Sequence, residues 1–160
     1  MSAKRHRSKK YYRFRMENFM SKELHYNNPI VLQRADPYVY RHTDGYYYFT
    51  GSVPAYDCIE LRRAKTIAEL ADAETFVVWR KHESGEMSQH IWAPELHYLD
   101  GKWYLYFAAS KVDDIWRLRP YVLECLGQDP LHDEWVERGM NILFNTIKYF
   151  FDRCTISFTK

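Results

Sequence analysis

Alternating apolar and polar residues form a series of short segments over residues 26–139 of the 160-residue chain. Tyr38 and Tyr40 stand two positions apart in the first segment, which places both side chains on one face of a strand. Asp44-Gly45 follows, a pair that favours a tight hairpin turn, and aromatic residues resume directly after it. The strands predicted in this half are 35–42, 46–52, 58–63 and 76–80, with a helical turn or loop over 64–73.

The same order of features recurs in the second half of the chain. Pro37 and Pro94 each open a segment that ends at an Asp-Gly pair, and the two pairs, at Asp44 and Asp100, stand 56 positions apart. A four-stranded unit that repeats after roughly fifty residues is typical of a β-propeller blade. Two unrelated hairpins in a β-sandwich would leave the same local signals. The strands predicted here are 93–99, 102–110, 120–126 and 134–138.

The two ends of the chain lack this pattern. Residues 1–15 carry seven basic residues and no acidic one, whereas the remainder carries 16 basic against 21 acidic residues. We therefore predict a solvated basic extension over 1–25, the two blades over 26–139, and a divergent or out-of-frame tail over 140–160. A nucleic-acid or membrane-surface arm at the basic end is the alternative, but the mildly acidic body argues against a nucleic-acid partner.

Composition narrows the class of protein. Aromatic residues make up 18% of the chain, an enrichment that favours β-structure and suits stacking on sugar rings or bases. The three cysteines are widely spaced and include no Cys-x-x-Cys pair, so neither a disulfide framework nor a zinc site is indicated. No apolar run resembles a secretory leader or a membrane span, which predicts a cytoplasmic location and no membrane partner.

The carboxylate of Asp36 is the first candidate for chemistry. Asp36 opens the first predicted strand, and the innermost strand of a propeller blade lines the central axis, so this side chain is expected at the mouth of an axial pocket. Pro37 removes a backbone donor and restricts the approach of the chain. The plainer interpretation is an ordinary Asp-Pro turn.

A second candidate group occupies the matching place in the second repeat, in the segment His-Ile-Trp-Ala-Pro-Glu. Trp92 offers a flat apolar face to a sugar ring, Glu95 can bind hydroxyl groups, and His90 flanks them both. We interpret these three as substrate-binding residues. The plainer alternative is a core Trp with a salt-bridged Glu and a structural His.

The order of the motifs Ala-Asp-Pro-Tyr, Arg-Arg-Ala-Lys-Thr, Trp-Ala-Pro-Glu and Asp-Gly-Lys-Trp-Tyr over residues 26–139 resembles glycoside hydrolase family 43. The closest resemblance is to its α-L-arabinofuranosidases, including exo-acting enzymes. It implies an all-β, five-bladed β-propeller, of which about two blades lie in this chain. It also implies arabinose- or xylose-containing oligosaccharide substrates and no required cofactor, and it leaves open a metal ion on the propeller axis.

The resemblance further implies an inverting hydrolase with three essential acids: a general base, a general acid, and an Asp that orients the acid. Asp36 matches the base, while Trp92 and Glu95 match the Trp-Ala-Pro-acid motif near the sugar pocket. No residue matches the other two acids; Asp152 stands near the place of the orienting Asp, but its neighbours do not fit. We therefore expect the 160-residue chain to be a poor catalyst. A non-catalytic sugar-binding fragment and a β-xylosidase of the same family are the alternatives.

Overall fold

The computed structural model describes residues 28–139, which form two four-stranded antiparallel sheets whose strand order follows the chain. The first sheet, blade 1, consists of β1 (Ala35–Arg41), β2 (Tyr47–Ser52), β3 (Cys58–Ala64) and β4 (Phe76–Arg80). The second, blade 2, consists of β5 (Gln89–Leu99), β6 (Lys102–Lys111), β7 (Asp114–Cys125) and β8 (Trp135–Glu137). The prediction of two successive four-stranded units is confirmed. The predicted extension over 1–25 and tail over 140–160 lie outside the described residues and stay predictions.

Both Asp-Gly pairs form the predicted hairpin turns. Asp100 and Gly101 are left-handed, at φ +49° and +83°, and form the two-residue turn between β5 and β6. Between β1 and β2, Gly45 has φ +83°, and the carboxylate of Asp44 accepts the N–H of Tyr46 at 2.8 Å. Positive φ at these places explains why the turns need glycine.

The largest difference from the prediction is the hairpin between β6 and β7. β7 begins at Asp114 and not at Pro120, and Lys111 pairs with Asp114 across a two-residue turn. Most side chains of the segment 111–119 project into solvent, so this segment shows no apolar alternation. Its strand character depends on backbone pairing with β6 and not on burial, which is why the pattern of apolar residues missed it.

Alternation along β2 buries both faces of blade 1. Tyr48 points into the core between the blades, whereas its neighbour Phe49 packs on the other side with Val31 and Leu70. Leu70 belongs to a 3₁₀ turn, Ala68–Ala71, which confirms the helical turn predicted for this segment. The largest side chains of the core between the blades that are less than 2% exposed are Ile59, Leu61, Ile91, Leu96, Trp103, Leu105 and Leu123.

The first strands of the two blades lie side by side and run in the same direction. Near its start, β1 is linked through one hydroxyl group to Ala93 of β5. Further along, Tyr38 lies against His97, with ring centroids 5.3 Å apart, and His42 lies against Tyr98 at 4.6 Å. The contacts advance together along both strands, as expected of successive innermost strands in a propeller.

Each blade carries a shielded carboxylate on its third strand. Glu60 of β3 binds Arg34 at 2.6 Å, and the two side chains are 18% and 15% exposed. Glu124 of β7 accepts hydrogen bonds from Lys102 Nζ at 2.7 Å and Arg138 Nε at 2.9 Å. The hydrogen bond from Lys102 lowers the pKa of the Glu124 carboxyl, although burial acts in the opposite direction. These ion pairs tie the third strand of each blade to segments beside it.

Within residues 28–139, no helix is both long and apolar enough to cross a bilayer. Nor do any three His, Cys, Asp or Glu side chains in this part of the chain converge as ligands for a metal ion. Cys58 and Cys125 are buried free thiols, and burial raises the pKa of both. Both thiols are therefore protonated near neutral pH and act as small apolar core residues.

Candidate active site

A β-bulge at the start of β1 turns Asp36 toward solvent. Two residues of β1, Asp36 and Pro37, together oppose the single residue Gly51 of β2. Asp36 has φ +49°, a left-handed conformation that is uncommon before a proline. Gly51 permits the close approach of the strands, because a Cβ at this position would lie 3.0 Å from the carbonyl oxygen of Ala35. The bulge thus presents an exposed carboxylate at one end of an innermost strand.

The hydroxyl group of Ser52 holds this carboxylate against the second blade. Ser52 is 2% exposed; its hydroxyl donates to Asp36 Oδ2 at 2.9 Å and accepts the N–H of Ala93 at 2.8 Å. A hydroxyl group has one donor and two acceptor positions, so it serves both partners at once. The bond fixes the direction of the Asp36 carboxylate and leaves it capacity to accept further hydrogen bonds.

The facing segment of β5 is irregular in the same way. Ala93 has φ +48° and precedes Pro94, just as Asp36 precedes Pro37 in blade 1. His90 is also left-handed, at φ +53°, and the pairing of β5 with β6 shifts register twice over this segment. Such conformations cost about 1–3 kcal/mol each in non-glycine residues and cluster at functional sites. The two irregular segments therefore mark one end of the blades as the candidate active site.

Aromatic rings line this end of blade 2. The ring of His90 stacks on Trp92 with centroids 4.5 Å apart and an interplanar angle of 23°, and Tyr56 meets Trp92 edge-on at 5.6 Å. The carbonyl oxygen of Ile115 can only accept, so His90 Nδ1, at 2.9 Å, carries the hydrogen. Among residues 28–139, nothing accepts the buried Nε1–H of Trp92. Trp92 and His90 form an oriented aromatic wall beside the Ser52 bond.

Glu95 is held by a buried histidine. Its Oε2 lies 3.0 Å from Nε2 of His97, whose Nδ1 lies 3.5 Å from the hydroxyl group of Tyr38. The side chain of His97 is 9% exposed and that of Glu95 is 47% exposed. Glu95 thus has a structural partner, as the plainer interpretation anticipated, and still presents part of its carboxylate to solvent.

Three residues of this end were not among the sequence candidates. Ser52 could have been found, because the repeat aligns it with Ser110 at the end of the second strand of each unit. Tyr56 lies in the β2–β3 loop and Trp116 in the charged hairpin, where no periodicity or motif distinguishes them. Only their contacts with Trp92 and His90 bring them to the site.

The model of the family described as glycosyl hydrolases family 43 matches residues 26–155. The chain belongs to glycoside hydrolase family 43. The resemblance based on the Asp-Pro and Trp-Ala-Pro-Glu motifs is thereby confirmed. The match includes the two blades and extends into the segment predicted as a divergent tail.

Two curated relatives are each named extracellular exo-α-(1→5)-L-arabinofuranosidase. The one from Streptomyces avermitilis is 53% identical over 119 residues, which cover 74% of this chain and 25% of the relative. The one from Streptomyces chartreusis is 54% identical over 114 residues, which cover 71% of this chain and 35% of the relative. The chain thus spans about a quarter to a third of the length of these relatives.

A solved structure of an α-L-arabinofuranosidase from Lactobacillus brevis is similar with a TM-score of 0.67 and 57% identity, covering 72% of this chain and 38% of that one. A thermostable family-43 glycoside hydrolase, at 21% identity and a TM-score of 0.53, supports the fold alone. The predicted all-β fold of the β-propeller family, with only part of the propeller in this chain, is confirmed.

The predicted cytoplasmic location is wrong, because both Streptomyces relatives are named extracellular. That prediction rested on the absence of an apolar leader. A leader that directs secretion is removed from a mature protein, so its absence from a sequence does not identify the compartment.

Proposed function

We propose that the protein is an exo-acting α-L-arabinofuranosidase that removes terminal arabinofuranosyl residues from arabinan- or arabinoxylan-type saccharides with inversion. One observation carries the proposal. An exposed Asp36 carboxylate is fixed by Ser52 against the Trp-Ala-Pro-Glu segment, in a chain that is 53–57% identical, over 71–74% of its length, to proteins named arabinofuranosidases. Following the extracellular relatives, we propose that the protein acts outside the cell.

Asp36 serves as the general base. An inverting glycosidase uses one carboxyl group to protonate the leaving oxygen and a second, about 6.5–9.5 Å away, to deprotonate a water on the opposite face of the sugar. The exposure of Asp36 admits water, and the Ser52 bond to Oδ2 sets the orientation in which the carboxylate accepts a proton. We assign no residue of this chain as the general acid.

The other candidates hold the terminal sugar. The apolar face of an arabinofuranose packs on Trp92, whose orientation is set by the stacked ring of His90. Glu95, anchored by His97, accepts hydrogen bonds from sugar hydroxyl groups with its exposed carboxylate edge. Residues from two blades thus bind and orient the sugar while Asp36 activates water.

The proposal is tested with the full-length protein that carries this chain. We expect hydrolysis of 4-nitrophenyl α-L-arabinofuranoside in preference to the β-D-xylopyranoside, and proton NMR should show inverted arabinose as the first product. Preference for the xyloside would instead indicate a β-xylosidase. Saccharide binding without turnover would indicate a sugar-binding protein, and a retained anomer would exclude the inverting mechanism in which Asp36 is the general base. The same assay checks the expectation that residues 1–160 alone turn over little substrate.

A further inference from the structure

Trp116 is the most exposed large apolar side chain of residues 28–139, at 75%. It lies on β7 directly after the two-residue turn that joins β6 and β7. A flat ring so open to water contributes little to folding, because most of its apolar surface stays hydrated. Its position beside the candidate active site therefore calls for another explanation.

The hairpin that carries Trp116 is fastened to the aromatic wall. His90 donates its Nδ1–H to the carbonyl oxygen of Ile115, the residue before Trp116. The ring of Trp116 lies 5.5 Å from that of His90, which in turn stacks on Trp92 at 4.5 Å. The three rings form a continuous surface that leads outward from the Asp36 end of the blades. His90 is thus placed to position the hairpin as well as Trp92.

The open ring of Trp116 offers a flat apolar surface, which suits the apolar face of a neutral saccharide ring. Its contact with His90 places this surface in line with Trp92, which we assign to the terminal sugar.

We propose that Trp116 is a platform for the part of the saccharide to which the terminal arabinofuranose is attached. The proposal rests on the proposed function and extends it outward. The terminal sugar occupies the space bounded by Asp36 and Trp92, and the next sugar unit stacks on Trp116. Trp116 is then a specificity-determining residue that favours oligosaccharides over arabinofuranosides with a small, non-aromatic leaving group.

The test compares two substrates in the full-length protein. In Trp116→Ala, kcat/KM for linear α-1,5-arabinotriose should fall roughly 10-fold, the effect of losing one ring-stacking contact and its buried area. The value for methyl α-L-arabinofuranoside, which has neither a second sugar nor an aromatic leaving group, should stay unchanged. Trp116→Phe keeps a flat ring and should retain most of the activity on arabinotriose. Leu126→Ala removes another exposed apolar side chain, 56% exposed just after β7, and should change neither value.

Equal losses on both substrates, or no loss on either, would overturn the proposal; equal losses with a lowered melting temperature would assign Trp116 a structural role. Measuring saccharide binding distinguishes failure of the Trp116 platform from failure of the proposed function. In a background of Asp36→Asn, Trp116→Ala should raise the Kd of arabinotriose roughly 10-fold and leave that of arabinose unchanged. If the wild-type protein does not hydrolyse arabinofuranosides but this binding difference is found, the platform stands and the proposed function fails. Unchanged binding of arabinotriose rejects the platform whatever the activity.

Discussion

Blades 1 and 2 use the same backbone device for different purposes. In each, a left-handed residue before a proline interrupts the first strand, Asp36-Pro37 in blade 1 and Ala93-Pro94 in blade 2. Blade 1 places a carboxylate there and exposes it to water. Blade 2 places an alanine, whose N–H is held by Ser52 of the other blade. The two blades therefore share the geometry of the interruption, while the residue placed there differs: an exposed carboxylate in blade 1 and an alanine in blade 2.

The blades also differ in how far their strands extend. The first three strands of blade 2 have 11, 10 and 12 residues, against 7, 6 and 7 in blade 1. The added length forms the β6–β7 hairpin that carries Trp116 past the end of the core. Blade 1 ends close to its catalytic candidate, whereas blade 2 supplies the surface on which we expect a substrate to lie. Four substitutions test the assigned differences between the blades.

The largest effect is expected at the carboxylate of blade 1. Asp36→Asn should lower kcat roughly 10²–10⁴-fold, because an amide cannot take the proton of the attacking water. The amide oxygen still accepts the Ser52 hydroxyl, so the melting temperature should hardly change. The exposed Asp72→Asn is the matched control and should keep full activity. Activity of Asp36→Asn near the wild-type level would remove the functional difference between the blades.

The next effect concerns the core that both blades share. Trp103 of blade 2 is 1% exposed, and its ring packs against Tyr40 and Tyr48 of blade 1. Trp103→Ala should lower the free energy of unfolding by about 3–5 kcal/mol, since it leaves a large cavity. Trp116→Ala, on the exposed hairpin of the same blade, should change it by about 0.5 kcal/mol or less. If chemical denaturation shows similar losses of unfolding free energy for Trp103→Ala and Trp116→Ala, then Trp103 does not belong to the core, or Trp116 does not lie on a protruding hairpin, as we assign them.

The third effect depends on pH. Glu124→Gln should lower the stability at pH 7 by about 1–2 kcal/mol, because a neutral amide binds Arg138 less well than a carboxylate does. The pKa of Glu124 is lowered in the folded protein, so its contribution is complete above the unfolded pKa of about 4.3 and is lost as the pH falls through the folded pKa. Denaturation curves of the two proteins should converge in acid.

The exposed Glu134→Gln provides the reference for that measurement and should show no such convergence. A stability difference between wild type and Glu124→Gln that persists unchanged however far the pH is lowered, while both proteins remain folded, would show that the ion pairs of β7 do not stabilise blade 2 through charge.

The smallest effect distinguishes the two matched serines. Ser52→Ala frees the Asp36 carboxylate and the N–H of Ala93, and kcat/KM should fall roughly 10-fold. Ser110 donates only to the carbonyl oxygen of Gln89, at 3.3 Å, so Ser110→Ala should cost about 1 kcal/mol of stability and leave kcat/KM unchanged. Equal activity in the two variants would mean that the bond between the blades does not orient the base.

The sequence predicted the strands whose side chains are largely buried and missed the part of a strand whose side chains face water. β1 to β4 and the two Asp-Gly turns were predictable, because strands that pack in a core are rich in apolar and aromatic residues and a tight turn needs particular residues. The first six residues of β7 were not, because a protruding hairpin keeps its side chains hydrated and so carries no apolar pattern. Asp36, Trp92, Glu95 and His90 were found through motifs. Their assignment as base and sugar-binding residues remains a proposal.

Local periodicity and short motifs account for the all-β class, the two-unit repeat, the family and the residue types at the two interrupted strands. The same periodicity places Glu95 and His97, two positions apart, on one face of β5. Two other contacts could be read only from the folded protein: Ser52 joins Asp36 to Ala93, and Trp116 extends the wall of His90 and Trp92. Each of these contacts joins residues at least 16 positions apart. They follow from the packing of one blade against the other and from the pairing of strands within a blade, which no periodicity within a single strand encodes.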